Sequence, residues 1–168
     1  MANIKTAVLN RELVLTAVLV GAAALAPLMH SQLVTGTIVN ATLFAAVMLA
    51  GFRAAAAVAL IPSLVALTAG TLPMAMAPMV PYIMMSNILL VGIFALLRKA
   101  NYWLAASVAA AAKFVLLVGS ASVILSALTH GKLSLALASM MGWPQLITAS
   151  LGAVAVYVAF ETKLFKKA

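Results

Sequence analysis

Residues 103–125 read WLAASVAAAAKFVLLVGSASVIL, a run from Trp103 to Leu125 that carries one charged side chain, Lys113. A helix needs about 20 predominantly apolar residues to cross the hydrocarbon core of a bilayer, and this stretch has that length and composition. Five further apolar segments lie outward from it, separated by charges and helix breakers: Leu13–Met29, Thr37–Ala50, Ala54–Ala69, Val80–Leu97 and Trp143–Phe160. The whole chain of 168 residues is 67% hydrophobic and 7% charged. A soluble domain of this size lacks the interior to hide so much apolar surface, and disordered chains are poor in large apolar groups. The expected fold is an all-α membrane protein, one transmembrane domain over residues 1–168 formed by a compact bundle of six helices. Nothing resembles the alternating strands of a membrane barrel.

Charge distribution gives the orientation. The net charge of +8 would point to nucleic acid in a soluble protein, but here the basic residues punctuate apolar runs and form no aromatic–basic platform. With a cytoplasmic amino terminus, six crossings place Lys5, Arg11, Arg53, Arg98, Lys99, Lys163, Lys166 and Lys167 inside and only Lys132 in an outer loop. Eight against one is a strong positive-inside bias, so both termini are expected in the cytoplasm. The second and third segments are short, with Gly51-Phe52-Arg53 allowing only a tight turn between them. A buried hairpin that never crosses is the alternative, but it would move Arg53 outside or to mid-membrane depth, which favours six crossings. The mildly basic start and the alanine-rich first run share features with a cleaved signal peptide. The run's reach to Met29 and the equally apolar segments behind it favour its retention as the first span.

The outer connections differ in character. His30-Ser31-Gln32-Leu33-Val34-Thr35-Gly36 is a polar loop without carboxylates or lysines. Gly70 to Met79 contains Pro73 and Pro78, with Pro81 just beyond, so a continuous helix there is not expected. Its Leu and Met content fits either a re-entrant segment or lid over a cavity, or a plain interfacial loop. In the longest connection, Leu133, Leu135, Leu137, Met140 and Met141 fit a short surface helix or flap. Pro62 is expected to bend the third helix or interrupt it.

Lys113 is the side chain that most needs an explanation. A lysine at the middle of a span costs about 2.5–3.5 kcal/mol on translocon-insertion scales. The two acidic residues, Glu12 and Glu161, both stand at the cytoplasmic edge and cannot neutralise it. Either Lys113 faces a polar cavity and binds an anionic or carbonyl-bearing ligand, or it is a structural lysine bonded to backbone carbonyls, for instance near Pro62. Asn40, Asn87, Gln145, His30, Gln32 and Thr35 lie toward the same outer side. Amides read ligands through both donor and acceptor, but they also join neighbouring helices. His30 stands without a cluster of softer ligands, so no metal site is expected. The cytoplasmic half lacks polar intramembrane groups, which fits an outward-facing pocket rather than a channel lined through its full depth. No Walker loop, HExxH helix or serine or carboxylate catalytic arrangement is present, so the chain reads as neither an ATPase nor another enzyme, and no cofactor is implied. On the first helix Ala17 with Gly21, and Ala22 with Ala26, form small-xxx-small pairs suited to a docking partner. A second stripe, Ala105, Ala109, Ala112 and Gly119, is expected to pack inside the bundle.

With these features in view the chain resembles the substrate-binding S component of energy-coupling factor (ECF) transporters, across most of its length. The size, six spans, cytoplasmic termini and the Ala22–Ala26 spacing on the first helix match that family. Gln32-Leu33-Val34-Thr35-Gly36 followed by Val39-Asn40-Ala41 is similar to an uncharacterised subgroup. So are Pro62-Ser63, Gly70-Thr71-Leu72-Pro73, and Pro78-Met79-Val80-Pro81 followed by Asn87. The resemblance implies capture of a scarce small molecule, often a vitamin or precursor, at the outer face of a prokaryotic cytoplasmic membrane. It also implies energy supplied by a separate transmembrane coupling protein and two cytoplasmic ATPase subunits, with the first helices contacting the coupling protein. Two other readings stand beside it. One is a structural or assembly accessory subunit of a larger membrane complex. The other, a secondary carrier, lacks an intramembrane Asp or Glu to bind a coupling ion.

Overall fold

A computed structural model of the chain describes residues 2–129 and 139–162. Lys132, Leu133, Leu135, Leu137, Lys163, Lys166 and Lys167 lie outside the described residues. Among those described, six helices are long and apolar enough to cross a membrane: α1 (Ala2–Leu25), α2 (Gln32–Leu49), α3 (Gly51–Thr68), α4 (Val80–Leu97), α5 (Tyr102–Thr129) and α6 (Trp143–Glu161). The protein is a compact, all-α, multi-pass membrane protein.

The spans that look short in sequence are full helices. α2 and α3 each have 18 residues, which at 1.5 Å per residue is about 27 Å, close to the hydrocarbon thickness. The extra length comes from residues expected in loops. Gln32 to Gly36 form the first turns of α2, leaving only His30 and Ser31 outside, and Phe52 and Arg53 already belong to α3. His30 takes a left-handed conformation, φ 52°, and Thr35 Oγ1 donates to Ala26 O at 2.9 Å, locking this joint. The α2–α3 reversal is narrower still, with Ala50 ending one helix and Gly51, φ +82°, opening the next. A side chain at that φ would be strained, so glycine is the fitting residue.

α3 continues through Pro62 without interruption. Proline supplies no N–H and crowds the preceding turn, and Asn87 of α4 donates to Ala59 O in that turn at 3.2 Å. A neighbouring helix thus satisfies backbone that proline disturbs, the usual remedy inside a bilayer. Beyond α3, Gly70 (φ +71°) turns the chain while Gly70 N and Leu72 N close onto Leu67 O and Ala66 O. A 3-10 helix, Met74–Met79, follows. Met76 and Met79 are fully buried against Leu72, Leu117, Ala121 and Met141, so this connection is a packed cap on α5 rather than a loose surface loop.

The main core joins all six helices, with α4 against α5 and α2 against α6 as the most extensive pairings, and α1 on the outside against α2 and α3. Ala105 and Ala109 pack into it, whereas Gly119 is exposed. Large apolar side chains such as Leu13, Val18, Leu96, Val115 and Val123 cover the exterior, while Asn40, Ser63, Ser86, Asn87, Lys113 and Thr148 are buried. Apolar side chains outside and polar ones inside is the arrangement a lipid solvent demands.

Candidate functional site

Four helices, α2, α4, α5 and α6, contribute polar side chains to one hydrogen-bonded cluster, and α3 contributes a backbone carbonyl. Asn40 stands eight residues into α2 and Asn87 seven into α4, so both lie about 10–12 Å along their helices from the same end of the bundle. Lys113 reaches that depth from α5 and is only 2% exposed. Its Nζ donates to Asn40 Oδ1 at 2.7 Å and to Asn87 Oδ1 at 2.8 Å. Each amide is oriented from its other side: Asn40 Nδ2 donates to Thr148 Oγ1 at 3.2 Å, and Asn87 Nδ2 to Ala59 O at the same distance. Thr148 Oγ1 donates in turn to Gln145 O at 3.2 Å. Side-chain amides, rather than backbone carbonyls, therefore hold the lysine, and both have their oxygens committed to it.

Two close approaches keep α2 in register with α6. A Cβ added at Gly36 would stand 2.8 Å from Thr148 Cγ2, and one at Gly152 only 2.7 Å from Ala41 N. The absence of side chains there lets the two helices carry Asn40 and Thr148 into hydrogen-bond range.

Above this cluster lies a cavity of about 420 Å³, lined by Lys113, Asn40, Asn87, Gln32, Gln145 and His30 among others. The six residues singled out in sequence thus line one space. It extends from exposed His30 to buried Lys113, and its rim includes residues of the three connections at that end, with Gly70, Leu72 and Met141 among them. Gln32 Nε2 donates to Met140 O at 2.6 Å and Gln145 Nε2 to the same oxygen at 3.3 Å. These two amides tie α2 and α6 to the segment before α6, closing part of the mouth.

Electrostatically the site is one-sided. An ammonium has three donors, and two are held by neutral oxygens. The chain's two acidic residues, Glu12 and Glu161, are exposed and line no part of this cavity. The arrangement can therefore accept a carboxylate or another oxygen acceptor at the remaining ammonium donor, with amides and hydroxyls near enough to read the rest of the molecule. Ser63 Oγ adds to this set. It lines the cavity, its residue is 4% exposed, and the hydroxyl has no hydrogen-bond partner, a state that costs about 1–3 kcal/mol for a buried polar group.

Ser63 and Thr148 are the participants sequence reading did not single out. Ser63 had one usable signal, its place after a mid-helix proline. Thr148 had none, since threonine is ordinary in membrane helices. Of the residues expected to dock a partner, Ala17, Gly21 and Ala22 lie on α1 and Ala26 opens the 3-10 turn after it, and none lines the cavity. Ala17 is exposed, Gly21 and Ala22 are half-buried, and Ala26 is 2% exposed within the bundle's own core. Nothing stands within 4 Å of a Cβ built on Gly21, so Ala17 and Gly21 form the outward register. No family model matches the chain, and no curated protein or solved structure matches it.

Proposed function

We propose that this protein is the substrate-binding membrane subunit of an ECF-type uptake system, loading a small metabolite with a carboxylate or carbonyl group from the outer side. The observation that carries the reading is Lys113: a buried ammonium held by Asn40 and Asn87, with no carboxylate beside it, at the inner end of a cavity of about 420 Å³. That volume lies in the range of small-molecule sites, about 300–1,000 Å³. Lysine is expensive at such depth, and an anionic or carbonyl ligand offsets the cost where the chain itself does not. Transport energy then comes from partners, a transmembrane coupling protein and two cytoplasmic ATPase subunits, reached through the outward Ala17–Gly21 face of α1. The protein binds its cargo without transforming it.

Native mass spectrometry of gently extracted protein tests the reading. The expected result is a retained small metabolite together with an ATPase-bearing partner, and loss of the metabolite in Lys113→Ala. Lys113→Met, which keeps the length of the side chain, should also lose the metabolite while remaining folded. Unchanged affinity in both variants would remove Lys113 from the site. A stable complex lacking both metabolite and ATPase would instead identify an accessory subunit.

A further inference from the structure

At the opposite end of the bundle a second cavity, about 280 Å³, is bounded by Met48 of α2, Arg98 and Lys99 after α4, Tyr102 of α5, and Tyr157 and Glu161 of α6. It plays no part in the proposed capture of a metabolite. Arg98 is half-buried here, and its Nε is enclosed with no hydrogen-bond partner. Its Nη1 donates to Met48 Sδ at 3.2 Å, and a thioether is a weak acceptor. Glu161 borders the same space, yet no ion pair joins it to Arg98 among the described residues. A guanidinium with five donors is thus under-used at a point where the helices leave the apolar layer.

The surroundings identify what fits. Tyr102, Trp103 and Tyr157 pack ring against ring with centroids 4.6–5.3 Å apart, and such Tyr–Trp groups mark the headgroup level of a bilayer. Among the described residues the lining sets two cations, Arg98 and Lys99, against one carboxylate, Glu161, and this positive surplus suits a phosphodiester. Arginine meets phosphate oxygens through paired N–H donors, and basic pockets between membrane helices hold anionic headgroups. We infer that Arg98 and Lys99, walled by Tyr102 and Tyr157, form a binding site for the phosphate of an anionic phospholipid. The acyl chains run along the apolar outer surface of the bundle. A zwitterionic headgroup is disfavoured, because its ammonium would meet the same two cations.

The test uses the full chain in neutral detergent, delipidated and then titrated with phosphatidylglycerol, phosphatidylcholine or inorganic phosphate. Bound lipid is read by native mass spectrometry and stability by thermal melting. Phosphatidylglycerol should be retained selectively and raise the melting temperature. Arg98→Gln should weaken its retention about tenfold or more, the scale of a lost charge-assisted pair, and Arg98→Lys should fall between. Glu161→Gln, which removes the competing carboxylate, should tighten it. Should Arg98→Gln fail to fold, Lys99→Gln, at an exposed position, must still reduce the preference for phosphatidylglycerol over phosphatidylcholine. Equal retention of the two lipids, or undiminished retention in the variants, overturns the site. An equal stabilisation by inorganic phosphate overturns the lipid assignment in favour of a soluble anion.

Discussion

Lys113 and its two amides form a buried polar unit, and each partner's loss has a distinct cost. Asn87→Leu removes one of the two oxygens that hold the ammonium and also the donor to Ala59 O. A destabilisation of about 1–3 kcal/mol is expected, the usual penalty for leaving a buried polar group without its partner. Adding Lys113→Met should return part of it, because the uncompensated charge disappears along with its acceptor. Denaturant titration of the two single variants and the double variant measures this directly, and a double variant as unstable as the sum of the singles would contradict the coupling. Lys113 itself is legible in sequence because a lysine amid 22 apolar and small residues has few reasons to be there. Its bonding partners are less legible. Asn40 and Asn87 stand out as amides in apolar runs, yet nothing in one dimension says that both oxygens converge on the same nitrogen. Thr148 is invisible at this scale, since small hydroxyls are satisfied within a helix in most places, as Thr42 is by Ile38 O, and Ser63 is marked only by the proline before it.

At the scale of helices, the contact between α2 and α6 sets the geometry of the site. Gly152→Ala would press a methyl to 2.7 Å from Ala41 N and 2.9 Å from Asn40 Cβ. Backbone cannot yield as a flexible side chain does, so the helices must part, at a cost of about 1–3 kcal/mol for overpacking. Ligand affinity should fall with stability, since Asn40 moves with its helix. Gly21→Ala is the control. Its new methyl meets nothing within the bundle, so ligand affinity should stay at the parent value and the melting temperature should not fall. All six helices are legible in sequence, because length and hydropathy are what a bilayer selects. Their ends are not. Polar residues such as Gln32 and Arg53 read as loop in sequence, but they complete helices whose ends reach the polar boundary. The fully buried side chains of Met76 and Met79 show a similar limit, for a proline-broken methionine segment reads equally well as a cap or as a surface loop until its packing partners on α5 are known.

For the whole molecule, the two cavities stand at opposite ends of the bundle, one rimmed by neutral polar groups and the other by Arg98 and Lys99. In the proposed orientation, with the basic end in the cytoplasm, the lysine cavity faces outward. The sequence contains no cysteine, so single replacements report sidedness without background. Met74→Cys, at a position 75% exposed on the cap, should react with a membrane-impermeant maleimide in intact cells. Ala100→Cys, exposed between α4 and α5, should react only after permeabilisation. The reverse pattern would invert the protein and with it the proposed direction of capture.

The lysine cluster also bears on how the protein is made. Chains are synthesised from the amino terminus, and Asn40 and Asn87 both precede Lys113. When α5 emerges, the two oxygens that will receive its ammonium already belong to completed helices. The span that carries a charge at mid-depth is thus the one for which a polar berth is ready beforehand.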